Sequence, residues 1–87
     1  MENKNLEDLF NEKSQEVKQL TSCSNDNKLY LYKFYKQAMI GDNNTSKPGF
    51  LDFTGKAKWS AWESLKGMSK EEAMQSYINK VNELLGL

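Results

Sequence analysis

The sequence predicts an all-α fold: a four-helix bundle with one long loop between the second and third helices. Three observations carry this. Apolar residues recur at helical spacing four times, and no segment alternates apolar and polar side chains over strand length. Gly41, Gly67 and Gly86 stand at three of the expected helix ends. The only proline, Pro48, falls in the one stretch without periodicity. At 87 residues the chain makes a single domain with a small core, over residues 1–87.

The first helix is expected from Asn5 to Leu20. Asn5 can cap it, Glu7 and Asp8 put anions at its amino end, and Leu6, Leu9, Phe10, Val17 and Leu20 form its stripe. The second starts near Asn25 or Asp26 and stops before Gly41, a natural left-handed residue. From Leu29 to Tyr35 every position but Lys33 is apolar or aromatic, more than one face can absorb. Leu31, Phe34 and Ala38 make one face; Tyr32, Tyr35 and Lys36 make another. Either this helix is buried on two sides or one face serves a ligand.

Gly41 to Phe53 reads as a long loop, and its Phe50, Leu51 and Phe53 argue for order. Thr54 is expected to cap a short third helix carrying Ala57, Trp59, Ala61, Trp62 and Leu65, ended by Gly67. Ser69-Lys70-Glu71-Glu72 fits the S-x-x-E capping box of a fourth, with Met68 placed to staple against Ala73. Ala73, Met74, Tyr77, Ile78, Val81, Leu84 and Leu85 continue its stripe up to Gly86. Short connections after Leu20 and Leu65 make helices 1–2 and 3–4 antiparallel neighbours. A loop of this length reaches about 40 Å extended, so helices 2 and 3 can run parallel in an up-down-down-up order.

Composition narrows the chemistry. The chain has no His and one Cys, so it falls far short of the about four N or S ligands of a structural zinc site, and any His-based nucleophile is excluded. The reading is a binding protein, not an enzyme, with neither metal nor cofactor. No run nears the ~18 apolar residues of a membrane span, so no stable membrane insertion is expected. The start, MENKNLEDLF, lacks the basic-then-apolar order of a secretory signal, and Cys23 alone closes no internal disulfide. A cytoplasmic monomer is the expectation.

Net charge is zero but unevenly spread. Residues 1–27 hold three Lys against six acids, residues 28–66 seven Lys against three, and the remainder two Lys against three. Eight of the ten aromatics lie between Tyr30 and Trp62. A basic, aromatic middle suits an anionic ligand with a ring to stack. Every cation is Lys, which speaks against bidentate base reading and against nucleic acid as partner.

From spacing alone, Tyr32, Tyr35 and Lys36 read either as core tyrosines beside a solvated lysine or as a phosphate-and-ring site. Lys56 and Lys58 read either as a solvent face or as cations awaiting an anion at a helix start. Trp59, Trp62 and Tyr77 read as core. Gly49 and Gly55-Lys56 miss the phosphate-loop spacing by one residue. A protein-interaction module and a single-stranded nucleic-acid binder stay open as alternatives.

The run KPGFLDFTGKAKWSAW from Lys47 to Trp62, with YKQAMIGD upstream and SYINKVNEL downstream, closely resembles the acyl-CoA-binding protein family. The resemblance covers nearly the whole chain, from Val17 to Leu84. It implies an up-down-down-up four-helix bundle that holds a long-chain fatty acyl-CoA without catalysis, as an intracellular carrier. Position by position, Tyr35 would stack on adenine, and Tyr32 and Lys36 would meet the ribose 3′-phosphate. Lys58 is similar to the family's phosphate-binding lysine on helix 3, and Tyr77 to its counterpart on helix 4. Lys18 falls on another head-group position, and Lys33, Phe34 and Thr54 complete the implied ligand-binding set. Phe10, Val17, Leu20, Tyr77, Ile78, Val81 and Leu84 match a small core between helices 1 and 4. Thr54 stands where some members carry Lys, and the loop after Leu20 is about a residue shorter than usual. The implied partners are acyl-CoA and, transiently, acyl-CoA-using enzymes or membranes.

Overall fold

A computed structural model describes residues 4–20 and 23–87. The expected short connection after Leu20 and the reading of the first three residues lie outside them. Four helices follow in order: α1 Leu6–Glu16, α2 Asn25–Met39, α3 Phe53–Glu63 and α4 Lys70–Leu85, with no strand among the described residues.

Each helix start is fixed by a side chain. Asn5 Oδ1 accepts from the Asp8 amide at 2.8 Å, Ser24 Oγ from Asn27 at 3.1 Å and Ser69 Oγ from Glu72 at 3.1 Å. The capping box is half made: Glu72 Oε1 lies 3.3 Å from the Ser69 hydroxyl instead of reaching back to its amide. Three local expectations are corrected. α1 tightens into a 3₁₀ turn over Val17–Gln19, where short-range bonds such as Leu20 N–H to Val17 O (3.2 Å) satisfy its last carbonyls. α3 is capped by Asp52, not Thr54: Asp52 Oδ1 accepts from the Gly55 amide at 3.0 Å, and a carboxylate suits a helix amino end better than a hydroxyl. α3 ends at Glu63, and turns through Ser64–Lys66 carry the chain to Gly67 at φ +94°.

α4 ends as expected, with Gly86 at φ +77° and bonds from Gly86 N to Glu83 O (3.2 Å) and from Leu87 N to Asn82 O (2.9 Å). That pair is a Schellman motif.

The helix directions follow from who meets whom. Lys80 Nζ sits over the Tyr30 ring while Gly41 faces Lys70, so α2 and α4 are antiparallel. Phe10 meets Tyr77 and Leu6 shares a groove with Met74, so α1 and α4 run parallel. Leu29 shares a groove with Ala57, and Lys36 lies over Trp62, so α2 and α3 run parallel. The order is up-down-down-up. The main packing is α2 on α4, α1 on α4 and α3 on α2. Sequence neighbours α1/α2 and α3/α4 thus keep opposite directions without being the main packing partners, because α4 offers apolar residues to both α1 and α2.

The core joins Phe10, Leu31, Phe34, Ala38, Ala73, Tyr77, Ile78 and Val81, all from α1, α2 and α4. Val17 and Leu84 pack at its margin, and Leu20, half-buried, stays outside it. α3 adds one buried large residue, Trp62, which leaves a cleft between α2 and α3.

The loop from Ile40 to Asp52 is pinned to the bundle by polar bonds. The Trp62 indole N–H donates to Gly41 O (2.8 Å), the Trp59 indole N–H to Thr45 O (2.9 Å) and Asn43 Nδ2 to Trp59 O (3.3 Å). Asp42 Oδ1 accepts from Gln37 Nε2 (3.0 Å) and from the Gly67 amide (2.8 Å). The apolar residues expected to order the loop do not. Phe50, Leu51 and Phe53 are 72–75% exposed.

Candidate ligand cleft between α2 and α3

Asn25, Leu29, Tyr32 and Lys36 fall on one face of α2 at spacings of four, three and four. The facing side of α3 brings Thr54, Ala57 and Lys58. Between them runs a groove of about 480 Å³, lined also by Lys28 and Phe53. A second, smaller cavity of about 220 Å³ adjoins it, lined by Lys36, Trp59, Trp62 and loop residues Thr45, Ser46 and Pro48. Tyr32 and Lys58 line both. The first sets Lys28 and Lys58 beside the apolar Leu29, Phe53 and Ala57; the second sets Lys36 and Lys58 beside two indoles.

Cations crowd the shared border. Lys58 Nζ lies 5.5 Å and Lys36 Nζ 5.9 Å from the centroid of the Tyr32 ring, and Lys36 Nζ is 5.6 Å from that of Trp62. The ion pairs among the described residues are Lys4–Glu12, Lys13–Glu16 and Lys80–Glu83, so none of the cleft lysines Lys28, Lys36 and Lys58 shares in one. Two ammonium groups held over aromatic faces make a place for an anion.

Tyr35 and Tyr77 stand on the other side of α2. The Tyr35 ring stacks on Phe10 (5.6 Å, 28°) and tilts against Tyr77 (5.9 Å), while Phe10 meets Tyr77 edge-on at 5.0 Å. Tyr35 keeps 39% of its surface exposed, so part of its ring is open for stacking. Tyr77 is 4% exposed, and burial together with the neighbouring Tyr35 pushes its hydroxyl up to about 12.

The structure therefore gathers Tyr32, Lys36, Thr54 and Lys58 into one cleft. Tyr35 and Tyr77 sit together in an adjoining aromatic cluster. Phe34 is a core side chain at 6% exposure. Lys33 Nζ lies over Tyr30 and Phe34, at 5.1 and 5.3 Å, away from the cleft. Lys18, in the 3₁₀ turn after α1, donates to Gln15 Oε1 at 3.2 Å. Sequence reasoning missed Lys28, Leu29, Phe53 and Ala57 as cleft residues. The Lys28-Tyr32-Lys36 ladder, one turn apart each time, carried the signal for the first. Trp59 was expected in the core; it is half-buried and spends its N–H on the loop.

The family model described as acyl CoA binding protein matches residues 7–81. The chain is 51% identical over 80 residues to acyl-CoA-binding domain-containing protein 3 of Oryza sativa subsp. japonica, covering 91% of this chain and 52% of that longer relative. It is 48% identical over 82 residues to the acyl-CoA-binding protein of Ricinus communis, covering 93% of this chain and 91% of the relative. Its fold matches the crystal structure of Oryza sativa acyl-CoA-binding protein 2 with a TM-score of 0.89 and 43% identity, over 94% of this chain and 92% of the other. Sequence, helix order and fold agree along almost the whole length, and the chain belongs to the acyl-CoA-binding protein family.

Proposed function

We propose that this protein binds long-chain fatty acyl-CoA thioesters one-to-one and carries them unchanged. One observation supports this above all: two adjoining cavities that share Tyr32 and Lys58 bring three lysines, Lys28, Lys36 and Lys58, together with aromatic rings and the apolar Leu29, Phe53 and Ala57. Such a pair suits a ligand with an anionic, ring-bearing head and a hydrocarbon tail. In this reading Lys36 and Tyr32 take the 3′-phosphate of the ribose, and Lys58 takes phosphate across from α3. The open part of the Tyr35 ring stacks on adenine, with Phe10 and Tyr77 holding that ring in place behind it. Leu29, Ala57 and Phe53 cover the acyl chain. Thr54 supplies no charge, so the head-group cations are those of α2 together with Lys58. Lys18, Lys33 and Phe34 are assigned lesser parts: Lys18 as an outlying cation, Lys33 and Phe34 as neighbours that set the α2 face.

The energetics suit a carrier. Each buried methylene is worth about 0.8 kcal/mol, so a dozen supply roughly 10 kcal/mol before ordering costs. Tail burial sets affinity and the head group sets identity. No step in this reading breaks a bond, and it places the protein inside the cell as a monomer that buffers and delivers its ligand.

Calorimetric titration of delipidated protein with palmitoyl-CoA, beside free CoA and palmitate, tests the reading. Saturable one-to-one binding of the thioester is expected, with a negative heat-capacity change, and much weaker binding of either part alone. Equal affinity for palmitate and palmitoyl-CoA would overturn it.

A further inference from the structure

Asp52 N–H donates to Gly49 O at 3.0 Å, closing a four-residue turn whose two central residues are Phe50 and Leu51. Both side chains stand 72–75% exposed, and Phe53, the first residue of α3, is 74% exposed one step further on. Three large apolar groups thus stand exposed within four positions of the chain, at the tip of this turn. The chain is fastened on either side of the turn, by the bonds of Trp59 and Asn43 before it and by the Asp52 cap after it. Large apolar groups held in water on a built turn mark an interaction surface.

Charge selects what that surface meets. Between Asn44 and Lys58 there are three Lys and one Asp, and the Asp52 carboxylate is engaged with the Gly55 amide. Lys47 precedes the turn, and Lys56 follows Phe53 by one helical turn. Exposed apolar side chains flanked by lysines suit an anionic bilayer, whose interfacial layer takes up the apolar groups while its headgroups meet the cations. Phe53 also lines the α2–α3 groove, so the tip and the groove mouth are continuous. We propose that Phe50, Leu51 and Phe53 form a docking tip that enters the interfacial layer of an anionic bilayer and brings the groove mouth to the membrane surface.

This deepens the carrier reading and rests on it for the ligand's lipid character. The test therefore measures membrane docking without thioester, and thioester binding without membrane. Sedimentation with phosphatidylcholine vesicles, with and without phosphatidylserine, is compared for wild type and the Phe50→Ser/Leu51→Ser variant. Neither residue lines the cleft cavities. The wild type should bind the phosphatidylserine vesicles, more weakly as salt rises, and the variant should bind at least about tenfold more weakly. Solution affinity for palmitoyl-CoA should be unchanged in the variant. A wild type that ignores both vesicles, or a folded variant that binds them equally well, overturns the docking tip. So does equal binding to vesicles lacking phosphatidylserine, since the cations would then play no part. Should the variant lose solution affinity for the thioester, Phe50 and Leu51 belong to the ligand site and a separate docking surface is refuted.

Discussion

Lys36 and Lys58 approach the same Tyr32 ring from two helices, so neither acts alone. In the proposed complex each makes a charge-assisted hydrogen bond to phosphate, a contact worth about 1.5–3 kcal/mol. Lys36→Ala and Lys58→Ala should each weaken palmitoyl-CoA binding by about that much, with folding intact. Because both lie over the Tyr32 ring, the double variant should lose less than the sum, which a double-mutant cycle by calorimetry reads directly. Tyr77 is different in kind. Its hydroxyl titrates near 12 in the fold against 10 in the open chain, because ionising it beneath α1 and α2 is disfavoured. A raised acid costs nothing below pH 10. As pH climbs from 10 to 12 the unfolded chain loses its proton first, and stability falls by about 2–3 kcal/mol. Tyr77→Phe should abolish the ionisation near 12 in an ultraviolet absorbance titration and remove that share of the alkaline loss.

At the scale of elements, the start of α3 depends on Asp52. Asp52→Ala should cost about 1 kcal/mol in urea unfolding, whereas Thr54→Ala should stay within about 0.5 kcal/mol. The reverse ranking would return the cap to Thr54. Gly55 belongs to the same device, since a Cβ there would run into the Asp52 carboxylate. Asp42 ties three segments. The Gly67 amide first, and then the Gln37 amide group, hold its carboxyl below the ordinary value of 3.8. That contribution is complete above the ordinary value and is lost as pH falls through and below it, so Asp42→Asn should flatten the acid limb of thermal unfolding. The sequence reading was sound where the signal is local. Periodicity, Asn5, Ser69 and Gly86 mark helices and their ends within a few residues. It faltered where a tertiary choice decides. Asp52 and Thr54 are both capping residue types two positions apart, and the cap falls to Asp52, where the turn from Gly49 ends. Tyr32 and Tyr35 share a local face, yet three residues rotate about 60° around a helix, enough to send one toward α3 and the other toward α1 and α4. Phe50 and Leu51 argued for order by burial, while the order comes from tryptophan N–H groups that no pattern of apolar residues announces.

As a whole the molecule is thin, with extents of 51 × 29 × 15 Å, and its burial is lopsided. α1, α2 and α4 share the eight-residue core, whereas α3 packs on α2 and is held by Trp62 and by the loop bonds of both tryptophans. Local opening follows buried contact, so α3 should open at lower free energy than α4 in the ligand-free protein. A ligand seated between α2 and α3 would supply the apolar contacts α3 lacks, and binding to the closed form alone adds stability with ligand concentration. Native-state hydrogen exchange distinguishes the two helices. The amides of Lys58 to Trp62 should exchange faster than those of Tyr77 to Val81 without ligand. With saturating palmitoyl-CoA the first group should gain far more protection than the second. Equal protection of α3 and α4 in the free protein would show that the two tryptophan pins alone make α3 part of one cooperative core. A gain on binding spread evenly over all four helices would place the ligand elsewhere than in the α2–α3 cleft.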